Sequence, residues 1–294
     1  MDVSIITVTY RSAGSITACL ESVLGQRGVE AEVIVVDNAS PDDTVKVLQG
    51  FGARIKLIQN RDNIGFGRGC NQGFAQSNGR YICFFNPDAQ FVGYHALADL
   101  CRAMDEHPAW GLAGSRVVTA GGELERPSIS YPDQGRVGKD FSRLPGKIAW
   151  VVGASMIARR EVFEKLGGFD PAFFLYGEET DLCLRARERG HEIGYVETVE
   201  IRHVGGASEA GNDPYDVWTR RTKGLHQFWT KHYPVEDVTR LVRRNRLRAR
   251  YRLLVNGLAA RFRGSQSTAW QKQRRYQAVW EVSSRFLQTG RGRP

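Results

Sequence analysis

The side chains best placed to do chemistry in this chain are few: the acid of Asn86-Pro87-Asp88, the carboxylates Glu178, Glu179 and Asp181, and the imidazole of His203. Asp88 follows a short apolar burst, Tyr81–Phe85, that reads as a buried strand; Pro87 stops strand pairing and leaves a carboxylate just beyond it. In an open α/β sheet ligands collect at the carboxyl ends of strands, so Asp88 is positioned for a charged ligand, a metal-bound diphosphate being the leading candidate. The same three residues also suit a plain surface turn. Gly177-Glu-Glu-Thr-Asp181 opens a predicted helix, whose dipole favours acids there. The cluster also follows a hydrophobic approach, Phe169-Asp-Pro-Ala-Phe-Phe-Leu-Tyr176, that carries it inward, where a carboxylate can act as general base. A lone histidine is most often structural, but His203, ahead of Gly205-Gly206, could complete a metal sphere begun by Asp88 and phosphate oxygens.

These groups need a scaffold. Val3–Val8, Val33–Val36, Ile55–Ile58 and Tyr81–Phe85 read as strands. They alternate with helices from Ser15 (a cap ahead of Ile16, Leu20, Val23 and Leu24), over Asp42–Gln49 and over Gly67–Ser77. Such βαβα order predicts a mostly parallel, Rossmann-like sheet with helices on both faces. Thr9 and Tyr10 end the first strand, Asp37 and Asn38 the second, and Asp88 the fourth, so three strand ends offer polar groups together. Further on, the pattern predicts a helix over Tyr94–Glu106, strands over Gly111–Val118 and Trp150–Ile157, and helices over Glu161–Leu166 and Glu178–Glu188. Beyond Pro214 it is helical, with Val217, Trp218, Arg221, Leu225 and Phe228 on one face. Residues 126–147 read as a long loop and a candidate lid. Asn60–Asn71 is rich in glycine, but Cys70 stands where a dinucleotide fingerprint needs its third glycine; this argues against a nicotinamide enzyme while leaving backbone amides free to meet phosphate.

The net charge of +9 is unevenly shared. Residues 240–294 hold fifteen basic residues and one acid, Glu281, whereas residues 1–239 carry a net −5. The expected division is a globular domain over 1–235 and a basic helical tail over 236–294. In that tail Leu247, Tyr251, Leu254, Val255 and Leu258 follow helical spacing among Arg244, Arg248, Arg250 and Arg252, with Trp270, Tyr276, Trp280 and Phe286 beyond. An anionic membrane surface suits such a tail, nucleic acid being the less favoured rival and a solvated helical hairpin the plain alternative. The five scattered cysteines predict reduced thiols, and neither a signal peptide nor a spanning segment is read; the expected location is cytoplasmic, peripheral on the inner face of the cell membrane.

Taken together, Val35-Val-Asp-Asn-Ala-Ser40, Asn63-Ile-Gly-Phe-Gly67, Phe85-Asn-Pro-Asp88, the run from Gly168 to Arg185 and His203 resemble family 2 glycosyltransferases of GT-A fold, rhamnosyltransferase-like members above all. The resemblance covers about residues 3–208. It implies an inverting, metal-dependent sugar transfer from a nucleotide donor, with dTDP-rhamnose the leading donor and UDP-hexoses second, to a glycan or polyprenyl-diphosphate-linked acceptor. It implies that Glu179 is the catalytic base, where the family usually has Asp. Thr9, Tyr10, Asp37, Asn63, Gly65, Gly67, Asn71 and Asn86 would line the donor nucleotide. Trp150, Gly153, Glu178 and Asp181 would border the sugar and acceptor. Asp88, the last acid of a D-x-D motif here reading Asn-Pro-Asp, and His203 would hold Mn²⁺ or Mg²⁺. A catalytically weak sugar-nucleotide-binding scaffold is the reading from another class.

Overall fold

The computed structural model describes residues 1–204, 212–263 and 267–290, without the side chains of 256–263. Gly205 and Gly206 lie outside the described residues, and so does the side chain of Leu258. Nine strands and nine α-helices are described: β1 (Val3–Thr9), α1 (Ile16–Leu24), β2 (Ala31–Asp37), α2 (Thr44–Gln49), β3 (Lys56–Gln59), α3 (Phe66–Phe74), β4 (Tyr81–Phe85), β5 (Ala89–Phe91), α4 (Ala96–Glu106), β6 (Trp110–Thr119), β7 (Leu124–Glu125), β8 (Ser155–Arg159), α5 (Arg160–Lys165), α6 (Glu178–Glu188), β9 (Glu192–His203), α7 (Pro214–His232), α8 (Val235–Arg263) and α9 (Thr268–Thr289).

One sheet runs β3-β2-β1-β4-β8-β6-β9-β5, with β7 pairing on β6. β1 to β4 are parallel neighbours and so are β6 and β9; β8 lies antiparallel between β4 and β6. Every residue of β1 and β4 is buried, as expected of strands covered on both faces. Alternate side chains feed two apolar clusters. Ile5, Val35 and Phe85 pack with Ile16 and Leu20 of α1 and Leu97 and Leu100 of α4. Ile6, Val36 and Phe84 pack with Phe163 of α5 and Leu182 of α6. α3 lies so close to β1 that a Cβ at Gly73 would stand 2.6 Å from Ile6 Cγ2, and one at Gly69 3.0 Å from Val8. Close helix–sheet packing therefore accounts for those two glycines.

The chain divides into two compact units. The first contains the sheet and α1 to α5 with most of α6. The second is built from α7, α8 and α9 with the segments 132–141 and 172–178. In the second, Asp213 caps α7 by accepting from Tyr215 N at 2.8 Å, and Ser267 caps α9 by accepting from Trp270 N at 3.2 Å. The buried residues of α7 are Thr222, Gly224, His226, Phe228 and Trp229; of the expected face Phe228 is buried, Val217, Trp218 and Leu225 are half-buried, and Arg221 is exposed. Along α8, Leu247, Tyr251 and Leu254 are 62%, 63% and 70% exposed, so the apolar positions read from the tail face outward. Among the described residues no helix is long and apolar enough to cross a membrane.

Two further expectations are corrected. Only the second half of the Trp150–Ile157 run is strand; Trp150 makes an isolated bridge to Ser128 instead. Ser15 occupies the N-cap of α1 but its hydroxyl donates to Ser12 O and caps nothing. The 126–147 loop is fastened at several points: Gly138 N donates to Asp237 Oδ2 at 2.7 Å in the helical unit, and Arg187 donates to Pro145 O and Gly146 O at 2.9 Å in the sheet unit. All five cysteines are buried thiols, and burial pushes those of Cys101 and Cys183 up to about 12.

Candidate active site

Because β1, β2, β4, β6 and β9 point the same way, their carboxyl ends share one edge of the sheet. At the β1 and β2 ends, Asp37 is buried and its carboxylate accepts from Thr9 Oγ1 at 2.8 Å, Ser40 Oγ at 2.6 Å and Ser40 N at 2.9 Å. Arg11 and Ala39 both take positive φ just past these strands. Asn38 continues the framework, donating from Nδ2 to Gly65 O and accepting from Asn60 Nδ2. Asn63 Oδ1 accepts from Gly65 N at 3.0 Å, and Gly65, at φ +90°, adopts a backbone that strains any L side chain as α3 begins. Asp37, Thr9, Asn63 and Gly65 thus form one turn system, with Tyr10 half-buried beside Thr9 and Gly67 buried in α3. Asn71 differs from its expected nucleotide contact. Its side-chain amide donates to Phe169 O and accepts from Phe169 N, bracing that loop.

The β4 end carries the anticipated turn. Ala89 N donates to Asn86 O at 3.1 Å, closing Asn86–Ala89 with Pro87 second. The chain then enters β5, whose Ala89 pairs with His203 of β9 and so sets Asp88 beside the imidazole. His203 Nε2 lies 3.3 Å from Asp88 Oδ1 and 3.3 Å from Asn86 Nδ2, while Nδ1 lies 3.5 Å from Glu125 Oε2 of β7. Burial works against a charged ring, but the contacts to Asp88 and Glu125 outweigh it and raise His203 to about 9. Asp88 and His203 are therefore brought together as expected; Glu125 was not anticipated.

Asn86 also ties this cluster to the other candidates: its N–H donates to Ala154 O at 3.0 Å. Next to Ala154 is Gly153, where a Cβ would meet Glu179 Cβ at 3.7 Å. Glu179 is half-buried, at the first turn of α6. The three acids there divide. Asp181 is fully buried and paired with Arg185, Oδ2 to Nε 2.8 Å, and Arg185 also holds Leu166 O and Gly168 O. Glu178 is buried, so Glu179 alone of the three acids has substantial exposure. Tyr176 and Gly177, at φ +73° and +95°, turn the chain into this helix. Trp150 donates from Nε1 to Ser130 O at 3.1 Å and stands on the same stretch, three residues before Gly153.

Comparison with known proteins fits this arrangement. A fragment of S. aureus TarS solved with UDP superposes with a TM-score of 0.58 over 99% of this chain and 92% of its own, at 17% identity. The mannosyltransferase PcManGT from Pyrobaculum calidifontis, solved with GDP-Man and Mn²⁺, gives 0.58 over 98% and 74%, also at 17% identity. The fold is that of the GT-A glycosyltransferases. The model of glycosyl transferase family 2 matches residues 4–167, and that of glycosyl transferase family group 2 matches residues 92–280. The chain belongs to glycosyltransferase family 2 and is an enzyme of that class. Among its relatives, the N-acetylglucosaminyl-diphospho-decaprenol L-rhamnosyltransferase of Mycobacterium tuberculosis is 24% identical over 76% of this chain and 82% of its own length. The low-salt glycan biosynthesis hexosyltransferase Agl10 of Haloferax volcanii is 26% identical over 69% and 67%.

Proposed function

We propose that this family 2 enzyme is an inverting glycosyltransferase that moves a sugar, L-rhamnose from dTDP-rhamnose being the leading donor, onto a polyprenyl-diphosphate-linked or other cell-surface glycan. The observation that carries the reading is that Asp88 and His203 are joined through Asn86 to Ala154, whose neighbour Gly153 lies so near Glu179 that a Cβ on it would stand 3.7 Å from Glu179 Cβ. Glu179 takes the proton from an acceptor hydroxyl as that oxygen attacks the anomeric carbon. The carbon–oxygen bond to the diphosphate breaks on the opposite face, its electron pair leaves with the diphosphate, and the configuration inverts. A base of this kind contributes about 10²–10⁴-fold in rate. The Thr9–Asp37–Asn63–Gly65 turns orient the nucleotide.

One carboxylate and one imidazole suit a divalent ion that brings most of its ligands from substrate phosphates, in keeping with the lack of any three-ligand His, Cys, Asp or Glu cluster among the described residues. Asp88 and His203 would hold it, the imidazole favouring Mn²⁺ over Mg²⁺. When bound, such an ion offsets the charge gathering on the leaving diphosphate. The decaprenol-linked substrate in the name of the mycobacterial relative supports the donor sugar and acceptor class. A UDP-hexose donor is the second reading, supported by the TarS fragment solved with UDP-GlcNAc. The outward Leu247, Tyr251 and Leu254, set among Arg244 and Arg248, support docking of the basic helices on anionic lipid at the inner face of the cell membrane.

The test is Glu179→Gln, assayed with dTDP-rhamnose and UDP-sugars and accompanied by thermal shifts with dTDP, UDP, GDP and ADP, with and without Mn²⁺. Transfer should fall at least a hundredfold while nucleotide-dependent stabilisation is retained. Wild-type stabilisation by UDP and not dTDP moves the donor, and full activity in Glu179→Gln removes the base assignment.

A further inference from the structure

Glu125 lies in a two-residue strand that the sequence does not mark. β7 pairs with β6 so that Glu125 faces Val117, which in turn pairs with Ile201 of β9, two residues before His203. This register brings the Glu125 carboxylate to the side of the imidazole turned away from Asp88. His203 Nδ1 and Glu125 Oε2 are both buried atoms, and neither reaches any other hydrogen-bonding group among the described residues; they face each other at 3.5 Å. On the opposite side, Nε2 meets Asp88 Oδ1 and Asn86 Nδ2, each at 3.3 Å. The ring is thus held between two carboxylates, one at each nitrogen.

We infer that Glu125 is a positioning residue for the metal-binding imidazole: it accepts a hydrogen bond from the Nδ1–H of His203 and so keeps Nε2 turned toward Asp88 with its lone pair available to a divalent cation. The inference rests on the reading of Asp88 and His203 as metal ligands proposed above. Histidines that bind metals generally donate their second nitrogen to a carboxylate, carbonyl or water; this orients the ring, makes it a better donor and adds about 10–100-fold to metal affinity. A divalent ion held at Nε2 would make Nδ1–H a stronger donor to Glu125. Glu125 touches no reacting atom in this scheme. It acts through His203, and its effect belongs in cation affinity.

The test is Mn²⁺ titration of the full chain, with dTDP or UDP present, read by electron paramagnetic resonance of the free ion. Wild type, Glu125→Gln, Glu125→Asp and Asp88→Asn are compared, each with its unfolding midpoint. Glu125→Gln should weaken Mn²⁺ by about 10–100-fold with nucleotide affinity in the absence of metal unchanged, and Glu125→Asp should recover part of the loss. Nitrogen-15 spectra of histidine-labelled protein give a second readout, in which His203 carries its proton on Nδ1 when Mg²⁺ is bound and loses that preference in Glu125→Gln. If Glu125→Gln binds Mn²⁺ within twofold of wild type while Asp88→Asn loses it, the role of Glu125 is refuted and the metal site stands. If Asp88→Asn also binds as wild type does, the metal site itself is wrong and the inference fails with it.

Discussion

Asp181 sits two residues from Glu179 and shares its chemistry, yet the fold buries one acid and leaves the other half-exposed, a difference that can be measured. Asp181 is fully buried, and the Arg185 side chain against it is 16% exposed. Replacing Asp181 by Asn preserves shape but leaves the guanidinium without its counter-charge. Removing one partner of a buried pair costs about 3–5 kcal/mol. Arg185 keeps the carbonyls of Leu166 and Gly168 at 2.8 and 2.9 Å and some contact with water, which places the cost near the lower end, about 3 kcal/mol. At about 2–4 °C per kcal/mol for a chain of this size, Tm should drop by roughly 6–12 °C. Glu179→Gln, at a half-exposed position, should change stability by no more than about 0.5 kcal/mol. Calorimetry and urea unfolding of Asp181→Asn, Arg185→Met, the double variant and Glu179→Gln would test this. The double variant should be less damaged than the sum of the singles, because removing both charges leaves neither stranded. An Asp181→Asn protein that melts with wild type, or a Glu179→Gln protein that loses as much as Asp181→Asn, refutes the division.

Three further outcomes follow from the same structure. Gly73→Ala gains about 1 kcal/mol of helix propensity but sets a methyl 2.6 Å from Ile6 Cγ2, an overpacking cost of about 1–3 kcal/mol; the urea midpoint should fall, and a rise would mean α3 does not need its close approach. His203 is raised from 6.5 to about 9, so its stabilising contribution is fully present below 6.5 and disappears as pH climbs through 9; His203→Gln should flatten the loss of stability over that interval, and an unaltered slope would count against the paired carboxylates. His226 is lowered to about 4 by burial, its ring nitrogens finding no hydrogen bond among the described residues while it stacks on Trp229. Its contribution is therefore present above 6.5 and lost as pH falls toward 4, and His226→Phe should remove that acid sensitivity, as unfolding measured from pH 7 to pH 4 would reveal.

The first half of the fold was legible because β1, β2 and β4 are short runs rich in apolar, largely β-branched or aromatic residues and α1 keeps a helical period. β9 was not. Its register against β6 slips between Ser115 and Arg116, and its buried residues alternate only over Val199, Ile201 and His203, with the period broken between Ile193 and Val199. His203 was therefore noticed for its chemistry without the strand that carries it. β5 and β7, of three and two residues, are too short to leave any period, which is why Glu125 escaped notice. The face of α7 was caught at Phe228 but misjudged elsewhere, because its buried positions include Thr222 and His226, residues no apolar pattern selects. Asp88, Glu179 and Gly153 were singled out by motif. What Asn71 and Asp181 do was not, since bracing a loop depends on a residue 98 positions away and pairing inside a core on one four positions away, and the two kinds of contact leave no common spacing.

The burial of all five thiols has a practical side. Nucleophilic attack by cysteine needs a thiolate at the surface, and here Cys19, Cys70, Cys83, Cys101 and Cys183 are all enclosed, with Cys101 and Cys183 raised to about 12. The native chain is accordingly a silent background for maleimide chemistry. A single cysteine placed at Tyr251 or Leu254 would take a fluorophore alone, and its emission on adding vesicles of anionic or neutral lipid would report directly on whether that outward stripe of α8 meets a bilayer.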